Sequence, residues 1–258
     1  MLKSVCFLVL IAISFSSCQK LLDYYNYKDN DEPSSGCRIK TITTASGAQV
    51  NTARIQYSSN GLPAAVEYEM HDVPFDYTET YTFHYVYDHL GRLVSETSDW
   101  VYGDNLVFYA YEGDSKLPVR DTIKALYVSY VEDLEYDTKG RIIKKTLRDF
   151  EFVIPEDNPG PHPDEVYQYY YDLRGNRQEH MSNPDYPGII QYSDKPSLYS
   201  LHPVWQLIHK NYSKNSVPFG ETFNNRDLPL TIKKSGVPYF QPFLNLSPGS
   251  VIEYECEQ

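Results

Sequence analysis

The chain has 258 residues, 35 Asp and Glu against 23 Lys and Arg, and a formal net charge of −12. That balance argues against a nucleic-acid binder and against attachment to anionic lipid through a basic patch, since both need clustered positive charge. The length allows one large domain with a real core. Its 25 tyrosines against two tryptophans point to broad sheet faces that pack and still meet water.

The chain opens on Lys3, the apolar run Val5 to Ile13, and the small residues Ser16 and Ser17 before Cys18. A charged start, a short apolar stretch and small residues at a cleavage point make a secretory signal over residues 1–17. The run is too short to span a bilayer as a helix. A Cys directly after small residues resembles the bacterial lipobox, with Phe15 in place of the usual Leu. That resemblance implies cleavage before Cys18, acylation of its thiol, and a mature charge one more negative than the whole chain through loss of Lys3. Gln19 rather than Asp follows the Cys, which by the same resemblance implies sorting to the outer membrane. Residues 18–36 read as the lipidated tether, charged and breaker-rich in their second half.

From Cys37 onward one phrase recurs: Tyr87-Asp-His-Leu-Gly-Arg92, Tyr136-Asp-Thr-Lys-Gly-Arg141 and Tyr171-Asp-Leu-Arg-Gly-Asn176. Asp88, Asp137 and Asp172 suit the first position of a type I turn, where a carboxylate accepts from backbone N–H groups further on. Gly91, Gly140 and Gly175 fall where a left-handed residue closes the hairpin in a bulge. Relaxed copies follow Tyr57, Tyr111, Tyr212 and Phe223. The tyrosines at 57, 87, 111, 136, 171 and 212 are spaced for two strands and one opposite turn per interval, so these turns gather at one end of a sheet. Phe223 lies only one strand's length after Tyr212, so its copy is expected at the opposite end or as a chance match.

Between the turns the residues alternate with period two. One face over 77–87 carries Tyr77, Glu79, Tyr81, Phe83, Tyr85 and Tyr87; over 126–136 one face carries Leu126, Val128, Tyr130, Glu132, Leu134 and Tyr136. Val166 to Tyr171 has aromatics on both faces, as expected where both sides of a strand are partly covered. Residues 71–76, 103–105 and the Pro-rich 154–164 are expected as loops at the end away from the Tyr turns. The pattern breaks at 193–211, where Leu198, Leu201, Trp205 and Ile208 recur at helical spacing and Pro203 suits a first helical position. A helical insertion over about 197–210 is expected to plug one open end or cross the concave face, with Trp205 as its core anchor. The last strand ends at Cys256. A Cys37–Cys256 disulfide is expected in an oxidising compartment; it would close a loop of over 200 residues and bring the first and last strands together, as in a barrel or a sheet curled nearly closed.

The repeated phrase resembles the YD repeat of RHS and teneurin-type proteins, matched fully by Tyr87 to Leu93 and nearly so by Tyr136 to Ile142. Those proteins carry dozens of tightly spaced copies in a closed shell; the few, widely spaced copies here imply shared hairpin chemistry only. Taken with the lipoprotein start, Cys37 opening the first strand and the Trp205 segment, residues 37–258 resemble Bacteroidetes lipoproteins of unknown function with a porin-like antiparallel β fold. The fold class read from the chain is therefore all-β: one antiparallel meander of long hairpins, strongly curved or barrel-like, in a single domain over 37–258.

Motifs that carry chemistry are scarce. There is no zinc-spaced cluster, nucleophile elbow or phosphate loop, so no cofactor, metal or catalytic residue is assigned. His71, Asp72 and His162 fall in predicted loops without ligand spacing. Glu67 and Glu69 share a strand face about 7 Å apart, a separation that glycosidase carboxylates also show. The leading reading is an outer-membrane lipoprotein, facing the periplasm or the cell surface, that binds a glycan, a peptide or another envelope protein without catalysis. A secreted hydrolase with acids from separate strands, and a carrier of an apolar ligand inside a barrel, are the alternatives. Any binding site is expected at the end away from the Tyr turns.

Overall fold

The computed structural model describes residues 36–100, 106–125, 128–152, 163–178, 180–181, 188–234, 244 and 246–256. The strands run β1 (Cys37–Ser46), β2 (Gln49–Tyr57), β3 (Pro63–Asp72), β4 (Tyr77–Tyr87), β5 (Leu93–Ser98), β6 (Leu106–Tyr111), β7 (Pro118–Lys124), β8 (Val128–Tyr136) and β9 (Ile142–Phe152). They continue with β10 (Glu165–Gln168), β11 (Tyr170–Tyr171), β12 (Arg177–Gln178), β13 (His180–Met181), β14 (Gly188–Ile189), β15 (Gly220–Phe223), β16 (Pro229–Ile232) and β17 (Val251–Cys256). A 3-10 turn at Leu198–Leu201 leads into the helix α1 (Pro203–His209).

Among the described residues thirteen strands form one sheet in the order β10-β9-β8-β7-β6-β5-β4-β3-β2-β1-β17-β16-β15. Every pairing is antiparallel, and from β1 to β10 each strand pairs with its sequence neighbour, as short hairpin turns dictate. The expected union of first and last strands occurs, but not by closure. β17 lies beside β1 within the sheet, and β16 and β15 continue beyond it, so among the described residues β10 and β15 are the sheet's edges. Cys37 is in register with Cys256, their Cα atoms 4.0 Å apart and their sulfurs at bonding distance, 2.00 Å.

The sheet nonetheless curls. The 3-10 turn packs on β1, Trp205 of α1 meets Tyr85 of β4 edge-on at 5.8 Å, and Lys210 reaches Asp121 of β7 and Glu132 of β8. A flat sheet would set β1 and β8 roughly 34 Å apart, whereas the 3-10 turn and helix together extend only about 20 Å. The concave face must therefore wrap the insertion. Two-residue periodicity selects what lines that face: Ala53 and Ile55, Val66 and Tyr68, Tyr85, and Tyr109 point inward and join Leu198, Leu201, Val204 and Trp205 in the core. In β1 the register shifts between Ile39 and Thr41, so Cys37 and Ile39 point inward before the shift and Ile42 and Thr44 after it. Trp205 is 1% exposed and is the largest fully buried side chain.

The two sheet edges are stitched through the insertion rather than to each other. Asn176 and Asn215 exchange hydrogen bonds, Ser213 Oγ accepts from Arg177 N, Pro196 bridges Asn215, and Lys195 pairs with Asp227 beside β15. All of these lie at the Tyr-turn end.

Two expectations are corrected. Val166 to Tyr171 is not covered on both sides: β10 is an edge strand, with Val166, Tyr167 and Tyr170 exposed. The copy after Phe223 is a true hairpin turn at the same end as the others. Asn224 Oδ1 accepts from Arg226 N and Leu228 N as Asp88 does in its own turn, and Asp227 supplies the left-handed position at φ 60°. The copy after Tyr212 is the chance match, since that segment runs through the insertion and closes no hairpin. Residues 101–105 and 153–162, which hold most of the expected far-end loops, lie outside the described residues, as do Cys18 and the tether.

Candidate functional site

The repeated turns occupy one end of the sheet, where their side chains are tied to one another. Asp88 Oδ1 accepts from Leu90 N and Arg92 N, and Asp137 Oδ1 from Lys139 N and Arg141 N. In each case the Arg side chain returns to the same Asp, at 2.7 Å for Arg92–Asp88 and 2.5 Å for Arg141–Asp137. Asp172 Oδ1 accepts from Asn176 N, and Gly91, Gly140 and Gly175 sit at φ 74°, 74° and 87°, conformations that a side chain would strain.

What spacing alone does not reveal is how successive copies interlock. Tyr87 O–H donates to Pro63 O, Tyr111 to Leu93 O, Tyr171 to Ile142 O and Tyr254 to Pro229 O, each time to the first residue of an earlier return strand. The Arg of one turn lies over the Tyr of a later one: Arg92 over Tyr111 at 4.5 Å and Arg141 over Tyr171 at 4.0 Å. These residues are spent on holding the sheet together.

The acids flagged as a glycosidase-like pair are on the outer face. Arg54 Nη1 holds Glu67 at 3.2 Å and Glu69 at 2.9 Å, all three half-exposed. His71 Nδ1 contacts Thr78 Oγ1 on that same outer face, and His162 lies outside the described residues. Among the described residues no group of three potential metal ligands comes together.

On the concave face two regions stand out, and neither was assembled from sequence. The first is a buried polar cluster under the insertion. Lys210 follows α1 in the left-handed conformation, at φ 50°, which turns its ammonium onto the sheet. Its Nζ stands 3.0 Å from Asp121 Oδ2 and 2.8 Å from Glu132 Oε2, ion pairs by distance that do not align as directed hydrogen bonds. Lys145 Nζ donates to Glu132 Oε1 at 2.6 Å. Asp121 is fully buried and Glu132 nearly so. Burial pushes the Glu132 carboxyl up, but Lys210 and Lys145 outweigh it and hold the group below its ordinary value. Asp121, with Lys210 opposing its burial and Glu132 adding to it, rises to about 6. Glu96 of β5 is 9% exposed and its Oε2 has no partner; burial lifts it to about 7 against the pull of Lys210. The insertion also carries two histidines that burial holds neutral, His202 and His209, both pushed down to about 4. Neutral His202 caps α1, its Nδ1 accepting from Val204 N.

The second region lies on the concave face toward the far end, in four cross-strand rows. From the loop inward these are Gln49–Asp72–Tyr77, Asn51–Met70–Glu79, Ala53–Tyr68–Tyr81 and Ile55–Val66–Phe83. Tyr68 stacks on Tyr81 at 5.0 Å, Trp100 lies over Tyr81 at 5.5 Å, and Trp100 Nε1 donates to Glu79 Oε1. Phe83 meets Tyr68 edge-on at 5.6 Å. Beyond this shelf the 3-10 turn Val73–Phe75 raises an apolar lip, with Phe75 80% exposed. A signal for both regions was present in the alternation: Glu79 and Glu132 each interrupt an otherwise apolar or aromatic row.

No protein-family model matches the chain, and no curated protein matches it. Among solved structures it is similar to a porin-like protein from Bacteroides uniformis, at 12% identity and a TM-score of 0.48, over 85% of this chain and 96% of that one. At that distance the likeness carries no argument about function.

Proposed function

We propose that this chain is an outer-membrane lipoprotein that acts without catalysis, as a binding or accessory protein of the cell envelope. The observation that carries the reading is the N-terminal address: an apolar run, two serines, Cys18 and then Gln19. Several acyl chains on Cys18 would hold the protein firmly at the bilayer. β1 begins at the Tyr-turn end, so that end is tethered and the far end, with its aromatic shelf and Phe75 lip, faces away from the attachment point.

Neither alternative draws support from the described residues. Glu67 and Glu69 are tied to Arg54 on the outer face, and Asp121 and Glu132 are buried and held by lysines. An apolar carrier needs an open interior, and here Trp205, Leu198 and Leu201 pack into the concave face with Ile39, Ile55 and Tyr85 as part of the core. The test is metabolic labelling with a fatty-acid probe in the native host. Wild type is expected to be labelled and membrane-bound, and Cys18→Ala unlabelled; equal labelling of both would remove the anchor.

A further inference from the structure

We infer that the far half of the concave face binds a neutral oligosaccharide, taken along the shelf formed by Tyr77, Tyr81 and Trp100. This rests on reading the chain as an envelope binding protein and adds the chemical class of its ligand.

The rings are fixed before any ligand arrives. Tyr81 is held between Tyr68 at 5.0 Å and Trp100 at 5.5 Å, and the indole is oriented by its hydrogen bond to Glu79. Tyr77, two residues before Glu79 on the same strand face, is 57% exposed, while Tyr81 and Trp100 are half-buried. Fixed aromatic faces offer large contact area at small entropic cost. Tyr77 and Tyr81 lie on β4 and Trp100 just past the end of β5, spread along the face rather than closed into a cage. A compact ammonium ion would use one such ring; an extended ligand with successive flat C–H faces can run from Tyr77 to Trp100, with Tyr81 packed between Tyr68 and Trp100 as the ring that holds the shelf in place.

Polar groups beside the rings are acceptors in want of donors. Asn51 Oδ1 and Asp72 Oδ1 are buried and have no hydrogen-bond partner, and both belong to the two rows nearest the loop. Asp72 precedes the 3-10 turn Val73–Phe75, yet its side chain does not cap it. Deeper in, Glu96 Oε2 is a further buried acceptor without a partner. Leaving buried acceptors unmet is unfavourable, and sugar hydroxyls are donors of the right kind. The same rows hold no Lys or Arg, so nothing there selects an anionic ligand.

The two tryptophans make the test direct, since Trp205 is sealed in the core and Trp100 sits on the shelf. The full chain in detergent is titrated with neutral oligosaccharides of glucose, galactose, mannose and N-acetylglucosamine, and separately with choline and an oligolysine peptide, following tryptophan emission. A sugar-induced shift is expected, absent in Trp100→Phe, with affinity weakened roughly tenfold in Tyr81→Ala, a loss of about 1.4 kcal/mol. Asp72→Asn, which keeps the side-chain shape, should also weaken binding, and Phe108→Ala on the outer face should leave it unchanged. A shift with choline or oligolysine but none with sugars overturns the ligand class while leaving the envelope-binding reading intact. No shift with any probe overturns the site itself, and the Cys18 labelling decides the anchor independently.

Discussion

Replacing Lys210 with methionine is expected to lower stability by about 3–5 kcal/mol, although only one charge is removed. The cost comes from what remains. Asp121 is fully buried and Glu132 nearly so, and Lys210 is the cation shared between them. Lys145 still neutralises Glu132 through Oε1, so Asp121 carries most of the penalty. Removing all four charges together, as Lys210→Met and Lys145→Met with Asp121→Leu and Glu132→Leu, should recover much of the loss, because an apolar replacement of a whole buried ionic group is often neutral. Urea denaturation of the single and quadruple variants checks this. A single variant as stable as wild type would mean that the cluster does not hold the insertion to β7 and β8.

The second large effect depends on pH. Glu96 titrates near 7 in the folded protein against an ordinary carboxylate value of 4.5. A carboxyl raised in this way binds its proton more tightly when folded, so its contribution is complete below about 4.5 and is lost as pH rises through about 7. The size is about 3 kcal/mol between pH 5 and pH 8.5. His202 and His209 act in the opposite sense: both are depressed from 6.5 to about 4, so their stabilisation is present above 6.5 and fades on acidification. Comparing wild type with Glu96→Gln cancels the histidines. The stability of wild type relative to Glu96→Gln should fall by about 3 kcal/mol from pH 5 to pH 8.5, and a difference independent of pH would contradict the burial of that carboxyl.

The hairpins were legible because their chemistry is local. Asp and Gly at fixed offsets define the turn within one phrase, and strand alternation around Tyr77 to Tyr87 names the inward face. The insertion was legible for the same reason: Leu198, Leu201 and Trp205 show helical spacing and Pro203 marks the start. What was hidden depends on neighbours far apart in sequence. Arg92 over Tyr111 and Tyr111 O–H on Leu93 O require knowing that β6 follows β5 in the sheet. Asp121, Glu132 and Lys210 come together only once the sheet has curled. The placement of β17 beside β1 was foreseeable from Cys37 and Cys256, but two further strands beyond it were not, and adjacent ends alone left open whether the sheet closes. The Phe223 and Tyr212 phrases were misjudged because spacing alone does not separate a hairpin from an irregular insertion of similar length.

If the insertion is a fixed plug, the far half of the concave face is what remains open to a ligand. Hydrogen exchange followed by mass spectrometry tests that most directly. Amides of α1, such as Trp205 N donating to His202 O and Lys210 N donating to Leu207 O, should exchange as slowly as those of β1 and β2 in the sheet core, opening only with global unfolding. If the segment 203–210 exchanges orders of magnitude faster than β1 and β2, it is a lid rather than a plug, and the interior becomes the site.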